Sequence, residues 1–128
     1  MDYTTTLRAA ALDVRRTTPG EDLTDQAALL LVAGIAGKLA ADNQVWPAVA
    51  LTALDVTERL YPEARPIELA VPTPPVDSRE AGGPVVELLE ALVEGYDAAS
   101  RDPNVVASRA LAFGAATLQL RYCVELLT

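Results

Sequence analysis

The segment from about Asp25 to Ala41 is apolar on nearly every side of the helix that its composition predicts. When residues are placed at about 100° intervals, five large apolar residues cover more than one side of the helix: Leu29, Leu31, Val32, Ile35 and Leu39. A helix that faces water carries a polar side, so a helix without one must be surrounded by other helices. This segment therefore predicts a helical bundle with this helix at its centre.

Four further segments show the helical spacing of apolar residues and are separated by turn residues and prolines. Pro47 and Pro103 suit first helical turns, and Asp102 suits the N-cap of the last helix. We expect an all-α single domain over residues 1–128, a four- to five-helix bundle with helices at about 5–16, 25–41, 46–61, 84–100 and 103–127.

A Pro-rich connector is expected between the third and fourth helices, over residues 62–84. It holds six of the nine prolines, so it predicts a long, partly extended crossover connection within the bundle. Within it Ile67, Leu69 and Val71 alternate with polar or small residues. This alternation indicates either a short strand or a loop that three side chains hold against the bundle.

Leu30, Gly34, Gly37 and Ala41 form one narrow ridge on the second helix. Each interior glycine costs about 1 kcal/mol relative to alanine, so we expect another backbone to approach closely here.

The last helix carries two apolar stripes on roughly opposite sides. One consists of Phe113, Leu120 and Val124, and the other of Leu111, Leu118 and Tyr122. Two stripes need two partners, and the second helix already takes the centre of the bundle. We therefore expect a homodimer that forms through the second or the fifth helix.

The chain has no histidine, which excludes Ser-His-Asp and Cys-His catalysis, ordinary zinc sites and di-iron bundles that use Glu-x-x-His. Cys123 is the single cysteine, so a thiolate zinc site and an intramolecular disulfide are excluded too. Lys38 is the only lysine, and no glycine-rich phosphate loop precedes it.

The charge balance is acidic, with ten basic and eighteen acidic side chains and a net charge of −8. We therefore expect no nucleic-acid binding, and a protein partner with a basic surface. The longest uncharged apolar run, residues 27–37, is shorter than the roughly twenty residues that cross a membrane. With no secretory signal in view, the expected location is the cytoplasm, without membrane attachment.

The stretch ELLEALVEGYD puts Glu87, Glu90, Glu94 and Asp97 within an arc of about 80° on the fourth helix, opposite its leucines. An acidic arc of this kind is typical of a solvated helix face. Carboxylates at such spacings also bind Mg²⁺ or Mn²⁺. The stretch resembles the E-x-x-E and E-x-x-D pairs of the all-α nucleotide pyrophosphohydrolases, although in that family the pairs lie on two converging helices. The resemblance implies a metal-dependent nucleotide hydrolase.

Two arginines and three aromatic side chains complete the candidate residues. Arg109 and Arg121 lie among apolar neighbours, where each would form an ion pair across the bundle or bind an anionic ligand. Trp46, Phe113 and Tyr122 would line the cavity of a bundle that binds a small molecule. Our interpretation is a non-enzymatic homodimeric interaction or assembly protein without a cofactor. The alternatives are the Mg²⁺- or Mn²⁺-dependent hydrolase and the small-molecule-binding bundle.

Overall fold

The computed structural model describes residues 2–20, 23–41, 43–63 and 67–128. These residues form five helices and no strand, which confirms the all-α prediction. The helices are α1 (Tyr3–Arg16), α2 (Thr24–Leu39), α3 (Val45–Leu60), α4 (Ser78–Arg101) and α5 (Ala107–Leu127).

The five helices pack in a closed order around one apolar core. Helix α1 lies on α4, α4 on α5, α5 on α3 and α3 on α2, while α2 also contacts α1 and α4. Leu31 and Ala33 point to roughly opposite sides of α2 and are both buried, as are Leu29, Val32 and Ile35 between them. The apolar character of α2 therefore predicted its burial, but not at the centre of the bundle, because Gly37 and Lys38 on its remaining side are exposed.

The predicted start of the fourth helix at residue 84 is wrong, because α4 begins at Ser78. Asp77 caps the helix by accepting a hydrogen bond of 2.9 Å from the backbone N–H of Arg79. Pro84 lies inside the helix, where its ring removes one N–H donor early in α4. Ala81 and Val85 are fully buried on either side of it, so packing outweighs the poor helix propensity of this segment.

The predicted start of the last helix at residue 103 is also wrong, because α5 begins at Ala107. Asp102 is the C-cap of α4 and not the N-cap of α5. Its carboxylate accepts a hydrogen bond of 2.8 Å from the N–H of Asn104. The Asp-Pro-Asn sequence therefore forms a separate turn, and α5 starts after it.

The other helix boundaries move by a few residues. Asp2 caps α1 by accepting a hydrogen bond of 2.7 Å from the N–H of Thr5, so this helix starts before residue 5. By residue type, either Thr24 or Asp22 suits the N-cap of the second helix. Thr24 is instead the first residue of α2, and Asp22 lies outside the described residues. Pro47 lies in the first turn of α3, as predicted.

The described part of the connector is a loop held by side chains. Leu69 and Val71 are partly buried and pack against the core. Val71 lies directly over Gly34, where an added Cβ would come within 2.8 Å of its Cγ2 atom. A connector side chain therefore occupies the glycine ridge, where we expected a backbone. At Gly37, no atom of the described residues lies within 4 Å of an added Cβ.

Candidate functional site

The outward side of α5 is apolar and exposed. Leu111, Leu118 and Tyr122 are 76%, 68% and 52% exposed. Phe113 and Leu120, from the opposite stripe, are buried in the core. The fold thus gives one stripe of α5 an intramolecular partner and leaves the other uncovered.

Helix α3, which packs on α5, also carries exposed leucines, Leu51 and Leu54. The amide of Gln119 on α5 donates a hydrogen bond of 2.6 Å to the carboxylate of Asp55 on α3, which joins the outer sides of the two helices. We call these two outer sides together the α3/α5 face; its large apolar residues are Leu51, Leu54, Leu111, Leu118 and Tyr122.

The α5 part of this face carries little charge. No charged residue occurs between Arg109 and Arg121 in the sequence. Among the described residues, α5 is also the single helix long and apolar enough to cross a membrane by length and composition, with 28% of its most apolar stretch buried. The core helices of soluble bundles meet the same test, so this result describes the apolar composition of α5 and does not assign a location.

The carboxylates of α4 lie beside α1, where two of them form ion pairs. Glu87 lies 3.3 Å from Arg8, and Glu94 lies 3.2 Å from Arg15. Both pairs are largely exposed, so each contributes little to stability. They account for two of the three basic residues of α1.

The remaining two carboxylates do not join these pairs in one site. Asp97 lies 3.4 Å from Arg101, one turn further along α4, and Glu90 is exposed. Across the described residues, no three acidic or cysteine side chains are grouped closely enough to hold a metal ion. The structure therefore distributes the four predicted ligands along the outside of one helix.

A buried carboxylate that the sequence analysis missed lies at the start of α2. Asp25 is only 2% exposed. It accepts hydrogen bonds from the hydroxyl of Tyr96, at 2.8 Å, from the hydroxyl of Tyr61, and from the N–H of Gly20, at 3.3 Å. The carboxylate therefore joins α2 to α4, to the end of α3 and to the turn before α2.

Glycine is required at position 20 by the shape of that turn. Gly20 has a φ of +84°, a conformation that side-chain-bearing residues rarely adopt. An added Cβ would lie 3.4 Å from Arg109 and 3.6 Å from Phe113, which are ordinary contact distances. The backbone conformation, and not a lack of space, therefore favours glycine in the turn that brings its N–H to Asp25.

Arg109 lies over the ring of Tyr61, whose hydroxyl binds Asp25, and over the ring of Phe113. Its guanidinium carbon lies 5.3 Å from the ring centre of Tyr61 and 4.9 Å from that of Phe113. It donates a hydrogen bond to the carbonyl of Leu60 at the C-terminal end of α3. Within the described part of the chain no carboxylate lies within ion-pair distance of Arg109. Stacking and the helix-end carbonyl thus take the place of the expected ion pair.

Burial keeps the hydroxyl of Tyr96 protonated, so that it donates its hydrogen bond to Asp25. Desolvation raises the pKa of Tyr96 far above its ordinary value of 10.0, and the nearby Asp25 carboxylate raises this pKa further. Tyr96 also stacks on Phe113, with ring centres 5.6 Å apart. We refer to Asp25, Tyr61, Tyr96 and Arg109 as the Asp25 cluster. Its chemistry is that of a buried polar junction between helices.

The other predicted pocket residues lie far apart. Trp46 is buried near the end of α5, beside Leu127. Phe113 is buried at the Asp25 cluster, and Tyr122 is on the α3/α5 face. Arg121 lines a shallow groove between α4 and α5. The structure therefore does not bring these residues together around one cavity.

Comparison with known proteins does not assign the chain to a family. No protein-family profile matches it, and no curated protein or solved structure shows significant similarity.

Proposed function

We propose that this protein is a non-enzymatic assembly protein that forms a homodimer through the α3/α5 face. The observation that carries the proposal is the exposure of Leu111, Leu118 and Tyr122 along one side of a 21-residue helix whose opposite side is in the core. Large apolar side chains that are contiguous and exposed mark interaction surfaces in soluble proteins. Covering them with a second copy removes them from water in both chains at once.

Charge favours a second copy over a membrane as the occupant of this face. The chain has a net charge of −8, and the same two helices expose three carboxylates, Asp55, Glu58 and Glu125, against two guanidiniums, Arg59 and Arg121. Anionic lipid surfaces repel such a rim. Between two copies, the uncharged centre of the face meets another uncharged centre, and the acidic rims remain in water.

We infer that the dimer binds a further protein through its acidic surface. The shallow groove between α4 and α5 has a volume of about 340 Å³ and is lined by three carboxylates and one guanidinium around two valines: Glu90, Glu94, Glu125, Arg121, Val93 and Val124. A partner that presents basic residues around a small apolar contact complements this groove. Electrostatic attraction of this kind mainly raises the association rate and the specificity.

The test of the dimer compares two leucine substitutions that differ only in position. Leu118→Glu places a carboxylate on the α3/α5 face, whereas Leu12→Glu places one at an exposed site on α1. Light scattering after gel filtration should give the dimer mass for the wild type and for Leu12→Glu, and the monomer mass for Leu118→Glu. A wild-type monomer, or a Leu118→Glu dimer, would contradict the proposal.

A further inference from the structure

We infer that the two copies pair through an antiparallel contact of α5 with α5, in which Leu111 of each copy lies against Leu118 of the other. This inference rests on the proposed dimer and adds its orientation and register. It follows from the order of residues along the exposed stripe, from the position of Glu125 and from the direction of the helix dipoles.

The exposed stripe of α5 has the spacing of a helix-pairing seam. Residues 111, 115, 118 and 122 are separated by steps of four, three and four, which is the alternation of the core positions in a coiled coil. The two leucines therefore lie on either side of Ala115. A small residue at this central position lets two helix backbones approach each other closely.

A two-fold axis placed midway between Leu111 and Leu118 gives a self-complementary contact. Each Leu111 then meets Leu118 of the second copy, and Ala115 lies next to the axis. In the same register Tyr122 lies opposite Ala107 of the second copy, the first residue of its α5. The largest side chain of the stripe thus faces one of the smallest, which leaves room for its ring.

Glu125 argues against the parallel orientation. It occupies the next seam position, three residues after Tyr122, and it is exposed. A parallel pair in register would place the two Glu125 carboxylates against each other in the contact, and like charges in that arrangement repel. In the antiparallel register Glu125 lies opposite Asn104 of the second copy, which precedes α5 and is exposed to water.

The helix dipoles favour the same orientation. Helix α5 has no acidic residue in its first turn and no basic residue in its last turn, so its own side chains do not offset its dipole. Each helix end carries roughly half an elementary charge. An antiparallel pair brings ends of opposite sign together, whereas a parallel pair brings ends of the same sign together.

Single cysteine substitutions distinguish the two orientations. In the antiparallel register the two copies of residue 111 are offset by seven residues, or about 10 Å along the helix axis. Disulfides need Cα atoms within about 7 Å. Residue 115 is offset from its copy by only about 1.5 Å along the axis. The wild type is the control, since Cys123 is fully buried.

Under mild oxidation, Ala115→Cys should form a disulfide-linked dimer, and Leu111→Cys and Leu118→Cys should not when each is alone. A mixture of these two leucine variants should form a linked heterodimer. A dimeric mass in which Leu111→Cys and Leu118→Cys each link to themselves would overturn the antiparallel orientation and leave the proposed dimer intact. A monomeric mass for the wild type would overturn both.

Discussion

Replacing Tyr96 with phenylalanine tests whether the Asp25 cluster stabilises the fold through its hydrogen bonds. The substitution removes one hydroxyl and keeps the ring that stacks on Phe113 at 5.6 Å. The lost bond, at 2.8 Å, runs to a carboxylate that is 2% exposed, so water does not readily replace the donor. A hydrogen bond to a charged group contributes about 1.5–3 kcal/mol, and we expect a loss in this range.

Tyr3 provides a matched control within the same chain. Its hydroxyl is also buried, but it donates to a neutral acceptor, the carbonyl of Ala81, at 2.8 Å. Tyr3→Phe should therefore cost only about 0.5–1.5 kcal/mol. Comparing the two variants separates the effect of the carboxylate from the general effect of removing a buried hydroxyl.

Urea unfolding followed by circular dichroism measures both losses as free energies of unfolding. Thermal unfolding gives a second measure. With an unfolding entropy of about 2.1 cal/mol/K per residue, a loss of about 2 kcal/mol lowers the midpoint of this 128-residue chain by about 7 °C. If Tyr96→Phe costs no more than Tyr3→Phe, the Asp25 cluster is not the stabilising junction that we describe.

Three further predictions concern the glycine ridge, alkaline pH and metal ions. Gly37→Ala should raise the free energy of unfolding, measured by urea titration, by up to about 1 kcal/mol, because the new Cβ meets no atom of the described residues. Gly34→Ala should raise it less, because its Cβ would come within 2.8 Å of Val71, and adding Val71→Ala should restore part of the missing stabilisation. Burial raises the pKa of Tyr3 from 10.0 to about 12 and raises that of Tyr96 further, so the unfolded state releases these protons at a lower pH than the folded state. The stability present below pH 10 should therefore fall as the pH rises above 10, less steeply in Tyr3→Phe, and a free energy of unfolding that stays constant to pH 12 would contradict this. Mn²⁺ and chelator should give the same unfolding midpoint, because the α4 carboxylates lie along one exposed helix face, and a rise of several degrees in Mn²⁺ would return the hydrolase to consideration.

The helices were predictable because apolar residues recur at helical spacing on the side of each helix that packs against the core. The burial of α2 and the two-sided pattern of α5 both follow from side-chain periodicity alone. The starts of α4 and α5 were not predictable in the same way. Pro84 and its neighbouring glycines favour a loop locally, yet Ala81 and Val85 are fully buried, and tertiary packing determines where α4 begins.

The Asp25 cluster was not predictable from the sequence. Asp25 looks like an ordinary acidic residue in a first helical turn, where such residues are favoured by the helix dipole. Its acceptor role depends on Tyr61 and Tyr96, which are 36 and 71 residues away in the chain. A single sequence does not show which distant hydroxyls the fold will bring together. The positive φ of Gly20 is likewise a property of the folded turn.

The α3/α5 face is intermediate between these cases. The sequence showed that α5 has a second apolar stripe, and the structure shows that this stripe stays exposed and that Leu51 and Leu54 of the neighbouring α3 are exposed as well. The contribution of α3 was missed, since both leucines fit an amphipathic helix whose apolar side is buried.

The mass of the wild-type chain in solution tests the central claim most directly. Sedimentation equilibrium over a range of concentrations should give twice the chain mass of 13.5 kDa, with dissociation to the monomer on dilution. A mass that stays at 13.5 kDa at every concentration would show that a second copy does not cover the α3/α5 face. It would also contradict the assembly function that we propose.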